Sequence, residues 1–260
     1  MCGVLEGYAP GYGRDAVSMM SARTAAERAT FAQPLFRPGM WVVDLGCGPG
    51  SITLGLAAEA RVAGVDVDAG QVALAREAAR RAGRSTVDFL VASAYDLPFA
   101  DGSVDVAFSH ALFEHLAAPR DALAELRRVL RPGGRLALST SDWSKARLRP
   151  KTANVDAALR GHHLLRRRAG GDPFAGRTIT DHCASAGFTE IVSRARYRED
   201  MTYRGLAQYV ESRLSEAVSD PQFGRDRDQL ASAARSALTW VRSGDGDFSQ
   251  CWVEVTATRP

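Results

Sequence analysis

The chain is poor in cysteine and in aromatic residues, and it has no long apolar run. Its four cysteines, Cys2, Cys47, Cys183 and Cys251, show no C-x-x-C spacing and no histidine at metal-ligand spacing. Neither a zinc site nor a disulfide framework is indicated, and no metal is expected. No segment offers the ~20 apolar residues of a membrane span. The opening stretch, MCGVLEGYAPGYGRD, lacks the basic and then apolar layout of a secretory signal. A cytoplasmic protein without a membrane partner is therefore expected. There is no internal repeat, and low complexity is confined to the SGDGD loop at Ser243 to Asp247. What remains is 260 residues, 45% of them hydrophobic, enough for one full core with decorations.

The most informative stretch is VVDLGCGPG, Val42 to Gly50, followed by SITLGLAAEA. It reads as a buried strand, Trp41 to Leu45, three glycines at alternate positions, and a short apolar helix. Glycines suit a chain that must bend sharply out of a strand and close its backbone on a ligand at a helix N-terminus. The dinucleotide fingerprint is G-x-G-x-x-G, whereas here the spacing is G-x-G-x-G with Ser51 next. The stretch resembles the first motif of the class I S-adenosylmethionine-dependent methyltransferases, and Asp44, Gly46, Gly48 and Gly50 stand in its positions. Cys47, inside the turn, reads as a small buried residue at the cofactor.

A second apolar strand ends at Asp66, twenty positions beyond Gly46. A carboxylate there can accept hydrogen bonds from both hydroxyls of a ribose, which is the role the resemblance implies. Asp68 reads as the cap of the next helix, Ala69 to Ala82. A third strand, Thr86 to Val91, leads into Asp-Leu-Pro-Phe, Asp96 to Phe99, and a fourth strand, Val104 to Ser109. LRRVLRPGGRLALST, Leu126 to Thr140, follows as a helix, a Pro-Gly-Gly turn and a fifth strand. This order is similar to the ubiquinone/menaquinone-biosynthesis type of methyltransferase domain over roughly residues 37 to 140. One departure stands out: where that group commonly has an aspartate for the adenine amino group, this chain has Ser93, followed by Ala94. A hydroxyl still accepts a bond. The Ala94 amide would serve beside it, with Val67 and Tyr95 completing the adenine slot by apolar contact; plain packing is the alternative for Tyr95.

The alternation of apolar strands and amphipathic helices predicts an α/β fold. With the resemblance, that means a Rossmann-like class I methyltransferase fold: a seven-stranded, mostly parallel sheet with helices on both faces and a helical cap. The final strand, Phe248 to Thr258, would be antiparallel between the fifth and the sixth, Phe188 to Arg196. Residues 1 to 38 are assigned to an N-terminal helical lid and 39 to 260 to the methyltransferase domain, with cap insertions at about 141 to 178 and 201 to 243. The second insertion holds helices at Tyr203 to Val218 and Arg225 to Arg242. RTAAERATFAQPLFRPGM, Arg23 to Met40, resembles the Arg-Thr-Ala helix of a bacterial and fungal subgroup of small-molecule methyltransferases. That likeness implies a lid in which Tyr8 and Tyr12 cover the cofactor and Arg23 meets the methionine carboxylate; on the residues alone, Arg23 is a helix-start residue on a polar face.

Charge is uneven. Residues 1 to 130 hold 12 Lys and Arg against 15 Asp and Glu, and residues 131 to 260 hold 21 against 15. Arg147, Arg149, Lys151, Arg160, Arg166, Arg167 and Arg168 fall within 22 residues of the first insertion, with His162 and His163 between them and only Asp156 opposing. A solvated face, a small anionic substrate and nucleic acid all fit such a cluster. The lack of aromatic residues between Trp143 and Phe174 leaves bases nothing to stack on.

Ligands in open α/β sheets meet outside the carboxyl ends of the strands. Ser109 and His110 at the end of the fourth strand, and Ser141, Asp142 and Trp143 at the end of the fifth, therefore face the reacting methyl. His110 is the candidate base, since its ordinary pKa lies near neutrality; capping of a following helix is the alternative. Glu114 and His115 read as packing and surface groups of that helix. The expected function is methyl transfer from S-adenosylmethionine to a small natural-product or quinone-like acceptor, with O, N, C and S all open. The rivals are an RNA methyltransferase and a cofactor-binding protein without transferase activity. Monomer and homodimer are both compatible.

Overall fold

The computed structural model describes residues 13–58, 60–84 and 87–260. Two short helices come first, α1 (Arg14–Ser21) and α2 (Ala25–Arg28), followed by β1 (Trp41–Leu45), α3 (Ser51–Leu56), β2 (Arg61–Asp66), α4 (Ala69–Arg81) and β3 (Asp88–Val91). Next are β4 (Val104–His110), α5 (Pro119–Val129), β5 (Leu130–Ser141), β6 (Arg147–Arg149), α6 (Ala153–Arg168) and α7 (Ile179–Ser185). The chain closes with β7 (Thr189–Arg198), α8 (Tyr203–Ser219), α9 (Arg227–Arg242) and β8 (Asp247–Thr258).

The strands form one sheet in the order β3-β2-β1-β4-β5-β8, with β7 on the other edge of β8. The first five are parallel. β8 runs antiparallel to both β5 and β7, as in Ser139 opposite Glu254 and Ala195 opposite Val253. Continuous apolar runs such as Val42, Val43 and Leu45 suit strands covered on both faces. β7 is an edge strand, and Glu190, Arg194, Arg196 and Arg198 along it keep that edge from pairing with another chain.

Among the described residues the sheet has eight strands, where the sequence leads to seven. β8 is 12 residues long and outruns its neighbours, so its first residues, Asp247 to Ser249, pair instead with β6 from the first insertion. The Pro-Gly-Gly stretch lies within the span of β5: Leu130 already pairs with Val104, and regular pairing resumes at Arg135 opposite Val106. The N-terminal helix is also shorter than its sequence promises. Thr24 caps α2 by accepting from the Glu27 amide, but Ala29 has left helical geometry and Pro34 bars a resumption of the same helix.

The two insertions, separated in sequence by α7 and β7, meet in space. α6, α8 and α9 bury a core of their own around Val155, Leu159, Leu206, Val210, Leu214, Leu230 and Trp240, with Trp143 packed at its edge. This helical cap lies over the carboxyl end of β5 and the amino end of β8. Arg28 of α2 reaches across to Asp200, just before α8, with nitrogen to oxygen at 2.7 Å. Among the described residues no helix is long and apolar enough to cross a membrane.

Candidate active site

Two adjoining cavities lie between the sheet ends, the N-terminal helices and the cap. The first is built on the turn between β1 and α3. Its walls include Gly46, Cys47, Gly48, Asp66, Val67, Gln71, Ser93, Ala94 and His110. The second, of about 470 Å³, lies beneath the cap against Arg28, Glu114, Ser141, Trp143, Arg166, Tyr209, Phe248, Gln250 and Trp252. Met20, Arg23, Ala111 and His115 line both.

The glycines of the turn do different things. A Cβ on Gly48 would meet nothing nearer than the Met20 sulfur at 3.7 Å, so this position opens into the cavity. Gly50 does not line the cavity. It caps α3 at φ +81°, and a Cβ there would lie 2.8 Å from Ala75 and 2.9 Å from the Phe89 ring, so this glycine lets the turn pack on α4 and β3. Asp44 is likewise a fastening beneath the cavity. Its carboxylate, 2% exposed, accepts a 2.6 Å hydrogen bond from the Thr53 hydroxyl of α3, and burial pushes its pKa up to about 7. Cys47 lines the cavity as a thiol, since burial first and then Asp44 and Asp66 push its pKa far up.

Asp66 ends β2 at the cavity wall. One carboxylate oxygen accepts from the Gly48 amide at 2.8 Å and the other from the Asp68 amide at 3.0 Å. The carboxylate thereby fixes the turn and is itself held in one orientation. Burial raises its pKa, opposed by the amide bonds from Asp68 and Gly48. Val67, Ser93 and Ala94 form the adjoining wall, and the Ser93 hydroxyl oxygen accepts from the Tyr95 amide at 3.1 Å.

Besides Asp44 and Gly50, two further expected cofactor residues lie away from the cavity wall. The tight turn from Ser93 to Asp96 rotates Tyr95 inward, where its ring packs on the main core and its hydroxyl accepts from the Ala118 amide. Ser109 is fully buried and donates to the Leu45 carbonyl at 2.8 Å, tying β4 to β1. Tyr8 and Tyr12 lie outside the described residues.

His110 sits at the junction. Its ring stacks on Trp252 with centroids 4.7 Å apart, and neither ring nitrogen has a hydrogen-bond partner. Burial, together with the charges of Arg23, Arg28 and Arg198, pushes its pKa well below the usual histidine range. The ring is therefore neutral near pH 7, with one nitrogen able to accept a proton. No helix follows it: Ala111 takes a left-handed conformation, φ +58°, and residues 112–115 turn. That turn carries Glu114 and His115 to the cavity walls. Glu114 is 2% exposed and accepts a 2.6 Å bond from Thr140, so these residues belong to a turn and not to the helix whose packing and surface groups the sequence leads one to expect. Asp142 is fully buried and caps the next turn through the Ser144 amide, while Ser141 and Trp143 face the second cavity.

The basic cluster divides. Arg168 pairs with Asp226, Lys151 with Asp156, and Arg147 lies over the Tyr197 ring. Arg166 alone of the cluster lines the second cavity. The cavity residues that sequence reasoning missed have simple signals. Phe248, Gln250 and Trp252 alternate along one face of β8, and Arg166 follows His162 by one helical turn.

A glycine turn after the first strand, a carboxylate at the tip of the second, and the final antiparallel strand together define the class I methyltransferase fold. Comparison with known proteins agrees: residues 43–138 match the methyltransferase domain family. An uncharacterised methyltransferase of Schizosaccharomyces pombe is 30% identical over 223 residues, covering 80% of this chain and 80% of that protein. The chain belongs to the methyltransferase family, in the class that uses S-adenosylmethionine. The probable methyltransferase ltbC of Aspergillus luteorubrus is 33% identical over 66% of this chain. A transposon-borne protein of Streptomyces fradiae is 40% identical over 48%. The chain spans only 64% and 37% of these last two. In fold it is similar to phosphoethanolamine N-methyltransferase 2 of Haemonchus contortus, solved with S-adenosylhomocysteine, at a TM-score of 0.61 and 16% identity, covering 96% of this chain and 58% of that one.

Proposed function

We propose that this protein transfers the methyl group of S-adenosylmethionine to a small molecule seated in the second cavity. The observation behind this reading is the adjacency of two cavities through Met20, Arg23, Ala111 and His115. One has the features of a nucleoside site, and the other is large and walled by aromatic rings. A volume of about 470 Å³ suits a drug-sized ligand.

The residues present fit the cofactor. Asp66 would hold the ribose hydroxyls, Val67, Ser93 and Ala94 would flank the adenine, the opening at Gly48 would admit the chain beyond the ribose, and Arg23 would meet the carboxylate. Bound S-adenosylmethionine supplies a methyl group on a sulfonium, whose thioether leaving group needs little activation. The protein's own work is then to orient the acceptor and exclude water. Trp143, Phe248 and Trp252 give the acceptor flat apolar walls, and the Arg28–Asp200 ion pair closes the N-terminal segment onto the cap. His110, neutral and unpartnered at the junction, is positioned to take a proton from an acceptor hydroxyl. The pairing of Arg168, Lys151 and Arg147 within the fold favours this reading over a nucleic-acid acceptor.

The test is calorimetry with S-adenosylhomocysteine, followed by transfer of labelled methyl from S-adenosylmethionine to small aromatic hydroxy compounds and, separately, to RNA. Micromolar binding with transfer to the small acceptors alone is expected. A folded protein that does not bind S-adenosylhomocysteine, or that labels only RNA, would overturn the proposal.

A further inference from the structure

The second cavity holds a buried cation that no carboxylate pairs with among the described residues. Arg166 of α6 is only 8% exposed. Its Nε meets the His162 ring nitrogen at 3.4 Å, its guanidinium lies 5.8 Å from the centre of the Trp143 ring, and Nη1 has no hydrogen-bond partner. The four carboxylates on the cavity wall, Glu27, Glu114, Glu199 and Asp200, form no ion pair with it; Glu114 is taken by Thr140 and Asp200 by Arg28. A buried charge without a partner is strongly destabilising, so a protein that keeps one in a cavity wall leaves room for an anion. The same wall carries further unpartnered polar atoms at nearly buried residues: the Ser141 hydroxyl, the Gln250 carbonyl oxygen and the Trp252 indole N–H. Between them stand the stacked rings of Trp143 and Phe248, centroids 6.1 Å apart and 19° from parallel, with Trp252 and Tyr209 beyond.

We infer that the acceptor is a planar aromatic carboxylate, its carboxylate bound by Arg166 and its ring held among Trp143, Phe248 and Trp252. A planar guanidinium matches a carboxylate in shape and charge. The Ser141 hydroxyl can add a third bond to the anion, and the Gln250 oxygen can accept from a ring hydroxyl, leaving a second polar substituent to be presented toward His110. This assignment rests on the reading of the second cavity as the acceptor site.

The experiment measures binding to the protein saturated with S-adenosylhomocysteine, by calorimetry and by quenching of tryptophan fluorescence. The probes are salicylate, 4-hydroxybenzoate, 1-hydroxy-2-naphthoate and the amide of each. At least one acid is expected to bind tenfold or more tightly than its amide. Arg166→Met should abolish that preference, Arg166→Lys should keep part of it, and neither should change the affinity for S-adenosylhomocysteine. Thermal unfolding supplies the control on folding. Removing an unpaired buried charge should leave the Tm of Arg166→Met equal to or above wild type, whereas an arginine that only braces His162 and Trp143 would lower it. No acid preferred over its amide, or a preference that survives in Arg166→Met, would overturn the inference while leaving the cofactor site intact. Failure to bind S-adenosylhomocysteine at all would strike the earlier proposal instead.

Discussion

Asp66 joins two tasks in one carboxylate. It accepts the amides of Gly48 and Asp68, which shapes the turn, and it faces the cavity where a ribose would lie. Charge-assisted bonds to two hydroxyls are worth enough that Asp66→Ala should weaken S-adenosylhomocysteine binding by about 1.5 to 3 kcal/mol. Asp66→Asn keeps one acceptor for the turn but sets its NH2 group against the other amide, so it should be less stable than wild type and lose part of that affinity. Calorimetry giving an unchanged constant for a folded Asp66→Ala would reject the ribose assignment. His110 poses a different question. Because its pKa is pushed well below the usual range, its basic form is present throughout pH 6 to 9, and turnover should show no histidine inflection there. His110→Asn should slow turnover about a hundredfold if the ring takes a proton; a loss under tenfold would reduce it to a spacer stacked on Trp252.

At the scale of elements, the glycine turn separates binding from packing. Gly50→Val forces a side chain into Ala75 and Phe89 at a left-handed position and should lower stability by at least ~2 kcal/mol, read from denaturant unfolding. Gly48 is left-handed too, at φ +51°, but a Cβ there meets nothing nearer than 3.7 Å, so Gly48→Val should carry the backbone strain without the clash, destabilise less than Gly50→Val and lose S-adenosylhomocysteine binding. α1 is the second element with a testable role. Ser51 at the start of α3 donates to the Met20 carbonyl, and Met20 and Arg23 line both cavities. Amide exchange in residues 14–21 should therefore slow when S-adenosylhomocysteine binds; exchange that is unaffected would detach α1 from the site. The limits of legibility also show at this scale. Strands and helices could be placed within a few residues because period and glycine content are local signals. Tyr95, Glu114 and His115 were misplaced because the direction of a side chain in a turn depends on backbone angles, such as the left-handed Ala111, that residue type does not announce; Ser109 lies within β4, where alternation turns it away from the face of His110.

For the molecule as a whole, buried histidines govern acid stability. Burial and nearby arginines hold His110, His115 and His162 well below the usual histidine range. Below about pH 6.5 the unfolded chain binds protons at these positions that the folded one refuses, so stability falls as pH falls. Asp44, raised to about 7, works in the opposite sense, because the folded state then holds a proton the unfolded state has released. The balance predicts a loss of roughly 1 to 3 kcal/mol per pH unit between about pH 6.5 and 5. Thermal unfolding from pH 7.5 to 5 measures it, and a Tm that rises with acid would show that the histidines are not buried neutral.

The sequence alone determined the parallel strands of the sheet and the glycine turn that walls the first cavity. A strand running into G-x-G-x-G, with Asp66 one strand later, is written in residues close together in the chain, where the backbone's own geometry dictates what fits. The second cavity was decided only in three dimensions. Arg28 of α2, Arg166 of α6 and the β8 pair Gln250 and Trp252 come from three elements, the outermost more than two hundred residues apart. Whether an arginine is solvated or buried depends on what the folded chain stacks upon it. In a row of similar arginines nothing distinguishes Arg166 until α6 packs against α9 and turns that side chain toward the cavity.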